Sequence, residues 1–265
     1  MTFALTECPS LSLWNDNHLN KLANTEPGNG QRPKSQLVNV ITIDGPAAAG
    51  KSTVARLLSK HLGIRYLDTG AMYRAVTWKA LHANIDMTNE NALAELVHAT
   101  DVELLPAAQG TRVLVDGRDV TTEIRDPNVT AHVFHLADNV RVREQMVELQ
   151  RRFAVTGPVV TEGRDQGTDA FPEASVKFYL DASPEERARR RSKDLQEGGK
   201  SQSFESILAS IRERDQRDCT RPVGALRKAP GAVYINTDSL SVNEVVEQMS
   251  VEIYSRLRPR NQESA

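Results

Sequence analysis

Leu37-Val-Asn-Val-Ile-Thr-Ile43, and one residue further on Gly45-Pro46-Ala47-Ala48-Ala49-Gly50-Lys51-Ser52-Thr53, form the junction that decides the fold. The first run is apolar and rich in β-branched residues, which predicts a buried strand. Leu57, Leu58 and Leu62 then fall at helical spacing, and Gly63 stops the segment. A loop of the form G-x-x-x-x-G-K-[ST] between a strand and a helix is a phosphate cradle. Its backbone N–H groups and the helix N-terminus face the phosphates. Lys51 reaches the β- and γ-phosphates, and the Ser52 hydroxyl sits on Mg²⁺. A plain glycine turn would need neither the lysine nor the hydroxyl, so Gly45 to Thr53 is read as a nucleoside triphosphate site.

At 265 residues the chain can bury one sizeable core, or a core carrying insertions. Hydrophobic content of 39% and charged content of 26% are those of a globular protein. A formal charge of −2 and a pI near 6.3 argue against a nucleic-acid polymer as the main partner. Cys8 and Cys219 have no ligand spacing and read as free thiols in a reducing compartment. No apolar run approaches membrane-spanning length. The first twenty residues lack Lys and Arg, and Glu7 and Pro9 interrupt any apolar stretch, which argues against a secretory signal. The expectation is a cytoplasmic protein that meets no membrane. Residues 1–35 are polar and rich in Asn, Ser, Pro and Gly and read as a mobile tail, with a docked piece around Leu11, Leu13 and Trp14 as the alternative. Residues 36–258 read as one domain, and 259–265 as a C-terminal tail.

Ile64-Arg-Tyr-Leu67 predicts a second short strand, delivering Asp68-Thr69-Gly70-Ala71-Met72-Tyr73-Arg74 to its C-terminal end, where open α/β sheets place ligands. Met72, Val76, Ala80 and Ala83 predict a helix. From about 86 to 130 the pattern changes to short strands, Val102–Leu105, Arg112–Val115 and Arg118–Val120, with Asp116-Gly117 as a two-residue hairpin turn. This is an inserted antiparallel subdomain. Helices follow over about 128–153, with Val142, Met146, Leu149 and Phe153 on one buried face and Arg143 beside it. Pro158–Thr161, Val176–Leu180 and Ala232–Asn236 predict further strands, and 241–257 a closing helix with Val242, Val245, Val246, Met249, Ile253 and Leu257 on one side. Strands alternating with helices give an α/β fold with a doubly wound parallel sheet, as in P-loop NTPases.

Two basic helices carry the remaining signals. Ser183-Pro184-Glu185-Glu186 is a capping box. The helix it starts bears Arg187, Arg189, Arg190, Arg191 and Lys193 and ends near Gly198-Gly199. With few acidic partners at i+4, it reads either as a solvated charged face or as a mobile lid, about 184–202, that brings cations onto a triphosphate. In the next helix an apolar stripe of Phe204, Ile207, Leu208 and Ile211 turns ionic at Arg214, Asp215, Asp218 and Arg221, before Pro222. Either that stripe faces a polar cleft, or an internal Arg–Asp lattice staples the helix end.

Taken together, Ile43–Thr53, Leu67–Arg74, Arg141-Val-Arg143, Glu162-Gly-Arg-Asp165, Leu180-Asp-Ala-Ser183, Arg214-Asp-Gln-Arg-Asp218 and Asn236–Ser241 resemble the bacterial cytidylate kinases. These are the CMP/dCMP kinases of the nucleoside monophosphate kinase family. The resemblance covers about 37–257 in family order. It implies transfer of the ATP γ-phosphoryl group to CMP or dCMP, with Mg²⁺, by a monomer whose insert binds the monophosphate. It implies that Arg74 and Arg164 hold the acceptor phosphate, and that Arg143 and Asp165 read cytosine. Arg214 and Asp218 would contact the sugar and Arg221 the phosphate region, with Thr69 and Tyr73 lining the same pocket. Lys51, Arg164 and the lid arginines Arg187, Arg190 and Arg191 would serve the transition state. The acceptor oxygen is already ionised, so positioning and charge neutralisation supply the catalysis and no general base is needed. The chain departs from the family in its tail before Gln36. It also departs at His132-Val-Phe134-His135, where many members place a small hydroxyl residue. A GTPase switch would show N-K-x-D, which does not occur. A small-metabolite kinase on the same core would have no use for the Arg143, Asp165, Arg214 and Asp218 set.

Overall fold

The computed structural model describes residues 40–107 and 110–257. The two tails, Cys8 and the Leu37–Asn39 start of the first strand lie outside the described residues. Strand β1 (Val40–Asp44) leads through the glycine loop into α1 (Lys51–Leu62), followed by β2 (Arg65–Asp68) and α2 (Thr69–His82). The insert contains α3 (Glu90–His98), β3 (Val102–Ala107), β4 (Gly110–Val115) and β5 (Arg118–Asp119). The chain then runs through α4 (Pro127–Ala137), α5 (Val140–Val155), β6 (Val159–Gly163) and β7 (Val176–Asp181). It finishes with α6 (Pro184–Glu197), α7 (Phe204–Thr220), β8 (Val233–Asn236) and α8 (Val242–Leu257).

The central sheet has five strands in the order β2-β6-β1-β7-β8, and every pairing is parallel. Asp44 at the end of β1 is in register with Gly163 of β6 and Tyr179 of β7. The loops after these three strands therefore leave the sheet from one edge, side by side. Both faces of the sheet are buried, because alternate residues feed different cores. Val40 and Val159 join Leu67, Met72, Val76, Leu136, Val142, Met146 and Phe171 on one face. Ile41 and Val160 join Leu58, Phe178, Leu180, Met249 and Ile253 on the other. Each such buried aliphatic or aromatic side chain contributes roughly 1.5–3 kcal/mol.

The small sheet is antiparallel, ordered β3-β4-β5, and folds onto α2 through Ala71, Ala75, Trp78, Val113, Val115, Val120 and Ile124. Asp116 and Gly117 both take positive φ, 49° and 75°, the geometry a tight two-residue hairpin requires. Helix α3 was not expected within the insert. Asn89 caps it by accepting from the Ala92 N–H at 3.0 Å, and Leu93, Ala94 and Val97 anchor it in the core. Ala83 falls past the end of α2 and is exposed, so the core stripe there stops at Ala80. Phe204, on the first turn of α7, is 36% exposed, whereas Ile207 and Ile211 pack on Ala188 of α6. Val242 opens α8 from the solvent side. No helix among the described residues is long and apolar enough to cross a membrane.

Candidate active site

The glycine loop leaves β1 at Gly45, whose φ of +149° and missing side chain are both needed. A Cβ there would sit 1.9 Å from the Leu180 carbonyl oxygen of the neighbouring strand. Ala48 is left-handed, with φ of 62°, and α1 starts after Gly50 with no side-chain cap on its first N–H groups. Those unpaired donors at a helix N-terminus are what a phosphate takes up. Lys51 is buried and donates to the Pro46 carbonyl oxygen at 2.6 Å. Removal from water, then the charges of Arg164 and Arg214, push its pKa down to about 7. The exposed Ser52 hydroxyl donates to Glu162 Oε1 at 2.8 Å. Thr53, also exposed, follows on the first turn of α1.

Glu162 is not among the site residues expected from the sequence, although it stands against Ser52 of the glycine loop. It is the last residue but one of β6, the strand beside β1, and its backbone carbonyl accepts from Thr69 Oγ1 at 2.7 Å. Burial and the nearby Asp68 raise its pKa, with Lys51 opposing them. The sequence signal for it is positional: a carboxylate at the C-terminal end of the strand next to the phosphate loop.

The cleft beside the glycine loop gathers residues from several segments. Arg164 Nε donates to Asp218 Oδ2 at 2.7 Å, and Arg221 Nη2 donates to Asp218 Oδ1 at 2.6 Å. Arg221 Nε lies 3.1 Å from Asp138, which ends α4. Burial opposes the charge on Asp218, yet the two guanidiniums hold its carboxyl below the usual range. Arg143, buried on α5, is paired with Asp165 and donates to the Ala137 carbonyl at 3.3 Å. Burial raises Asp165 and Arg143 opposes the rise. Tyr73 neighbours the pair and burial raises its phenol. Arg74 lies 3.7 Å from Asp68, and its buried Nε has no hydrogen-bond partner among the described residues. Arg214 has an exposed surface and no ion-pair partner among the described residues. Desolvation in the crowded cleft, then the Arg164 charge, push it down to about 10. The ionic end of α7 is thus both a lattice and a cleft wall: Asp215 and Asp218 staple it, while Arg214 stays uncompensated.

The arginines of α6, expected to form a lid, are not alike. Arg187 is 3% exposed, grips both oxygens of Asp215 on α7 at 2.9 and 2.6 Å, and donates to the Ala47 carbonyl of the glycine loop at 3.2 Å. Arg190 donates to Thr237 Oγ1 at 3.0 Å and to its carbonyl at 2.6 Å. Arg189 and Arg190 also share Glu186, so the acidic partners expected to be few are present, one of them at i+4. Arg191 is exposed, with no ion-pair partner among the described residues. The structure therefore brings Arg187 and Arg190 to the glycine loop and leaves Arg191 outside.

A parallel sheet with a phosphate loop at its C-terminal edge, beside a second cleft lined with arginines, has the layout of a P-loop phosphotransferase with two substrates. The family model described as cytidylate kinase matches residues 41–255. The curated cytidylate kinase of Rhodopirellula baltica is 48% identical over 210 residues, covering 79% of this chain and 90% of the relative. That of Carboxydothermus hydrogenoformans is 46% identical, covering 82% and 97%. That of Bacillus subtilis is 46% identical, covering 79% and 93%. The chain belongs to the cytidylate kinase family.

Proposed function

We propose that the chain transfers the γ-phosphoryl group of ATP to the phosphate of CMP or dCMP, giving ADP and CDP or dCDP for pyrimidine nucleotide metabolism. The observation that carries this reading is a cluster of cations around one cleft, Lys51, Arg74, Arg164 and Arg214: the charges of Arg164 and Arg214 add to burial in lowering Lys51, and those of Arg164 and Arg74 add to burial in lowering Arg214. Beside it stands a buried Arg143–Asp165 pair. The cluster suits phosphates and the pair suits a base.

Gly45 to Thr53 cradle the donor phosphates, and Lys51 turns from the Pro46 carbonyl to the β- and γ-oxygens. Ser52, with Glu162 2.8 Å away and Asp68 near it, is an oxygen donor set fit for Mg²⁺. Bound with ATP, Mg²⁺ neutralises charge on the β- and γ-phosphates. Arg74 and Arg164 hold the acceptor phosphate, whose ionised oxygen is the nucleophile, so no side chain has to take a proton. Asp165 accepts from the cytosine N4 amino group, and Arg143 donates to O2 and N3. Uracil and thymine would turn a carbonyl toward Asp165. Arg214 and Asp218 contact the sugar, Arg221 the phosphate side, and Thr69 and Tyr73 line the pocket. Arg187 and Arg190 brace the loop as charge moves, and Arg191 comes in when the lid, about 184–202, closes. The insert, about 86–130, closes over the monophosphate. The enzyme acts as a cytoplasmic monomer, a reading supported by one chain holding both sites and by cysteines without disulfide spacing.

Replacing Asp165 with Ala tests the base-reading role. The Michaelis constant for CMP should rise about 10- to 100-fold, the cost of one hydrogen bond to a charged group, with that for ATP little changed. Equal losses for both substrates would remove Asp165 from base recognition.

A further inference from the structure

Asp44 has no part in the chemistry above, yet it is among the most enclosed charged groups in the protein, 1% exposed at the tip of β1. Both of its oxygens are occupied. Oδ1 accepts from the Gln166 N–H at 2.8 Å and Oδ2 from the Gly167 N–H at 2.7 Å. These amides open the short helical turn Gln166–Ala170, whose later N–H groups, at Asp169 and Ala170, return to the Asp165 carbonyl. The first amides of such a turn have no partner within it. A local cap would ordinarily serve them. Here the cap comes from 122 residues away. Gly167 makes the approach possible, because a Cβ there would lie 3.0 Å from Thr42 Oγ1 and 3.3 Å from Asp44 Oδ2.

The chain on either side of this contact matters. Gly45, the first residue of the donor loop, follows Asp44 directly, and Arg164 and Asp165 directly precede the two amides. We infer that Asp44 is a positioning residue that clamps the acceptor-reading segment Arg164–Asp165 to the root of the donor loop, setting the spacing between the two halves of the cleft. The inference rests on the acceptor role proposed for that segment. Both oxygens being held by amides, Asp44 is not placed to act as a base.

The ionised carboxylate accepts two amides at once, and protonation weakens one of them. Burial pushes the Asp44 pKa up to about 7, against the pull of the two amides. The groups facing it are Asp165 and Arg164 of the clamped segment, Lys51 of α1 and Tyr179 of β7.

Asp44→Asn in the full chain keeps the volume but turns an NH₂ group toward one of the amides. The Michaelis constant for CMP should rise about five- to tenfold, because the segment is loosened at one of its two contacts and not released, while that for ATP stays within about twofold. Equal rises for both substrates, or no rise for CMP, overturn the clamp. A second measurement needs no variant. In the wild-type protein the amide protons of Gln166 and Gly167 should be shifted downfield and should move together with a midpoint near pH 7. Gln166 and Gly167 amide protons that show no downfield shift, or that move independently of each other, would contradict the clamp. Absence of CMP turnover in the wild type counts against the proposed function, while the amide titration reads the clamp independently.

Discussion

Faced by Arg164 and Arg214 and almost wholly buried, Lys51 holds its proton weakly in the free protein, with a pKa near 7 in place of 10.5. A lysine whose folded pKa is depressed binds fewer protons than the unfolded chain between those two values. Its contribution to stability therefore rises with pH across that window and is least favourable below pH 7. Triphosphate in the loop supplies the missing anion and restores the proton. At pH 8, ATP binding should take up close to one proton, read by calorimetry in two buffers of different ionisation enthalpy. The uptake should vanish in Lys51→Met, and zero uptake in the wild type would contradict this account of Lys51. At this scale the sequence was legible wherever a motif fixes geometry, as at Lys51 and Ser52. Glu162 and Asp44 were not singled out because their significance comes from which strand lies beside which. In sequence Glu162 is 110 residues from Ser52 and Asp44 is 122 from Gln166; both distances close to about 2.8 Å.

Between α6 and α7 the contact that matters is ionic. The bidentate Arg187–Asp215 pair joins the two helices over a small apolar patch of Ala188, Ile207 and Ile211, and Arg187 also reaches Ala47 in the donor loop. Breaking a buried pair strands a charge and costs about 3 kcal/mol or more. Asp215→Ala should lower the melting temperature by about 6–12 °C, scaling that cost to a protein of this size. Adding Arg187→Met to Asp215→Ala should return part of the loss. Independent, additive losses would show that the pair does not couple the helices. The sequence predicted both helices from their caps and breakers, Ser183-Pro184 at one end and Pro222 at the other, and the hairpin from Asp116-Gly117. Its stripes erred at Phe204, on the exposed first turn of α7, and at Ala83, one residue past the end of α2. Helix α3 escaped because its apolar residues Leu93, Ala94 and Val97 span barely one turn, and its cap, Asn89, sits in a polar stretch.

Over the whole molecule, a chain of net charge −2 sorts its charges so that cations outnumber carboxylates along one edge of one sheet. That edge exists because β1 and β6 end in register and β7 runs only two residues further, which places the glycine loop, Glu162–Asp165 and the start of α6 side by side. The alternation of strands and helices made a parallel sheet legible, but the order β2-β6-β1-β7-β8 was not written in any local pattern. It follows from which apolar faces α1, α2, α5 and α8 can cover. The central claim is that the two anion sites on this edge are a donor and a cytidine monophosphate acceptor. A coupled assay with ATP, Mg²⁺ and a panel of monophosphates tests it most directly. CMP and dCMP should be phosphorylated, with UMP and TMP used poorly because each turns a carbonyl toward Asp165 where cytosine has its amino group, and AMP because adenine lacks the O2 acceptor for Arg143 and brings a second ring. A higher kcat/KM for any of those three than for CMP and dCMP, or no turnover of CMP at all, would contradict the account.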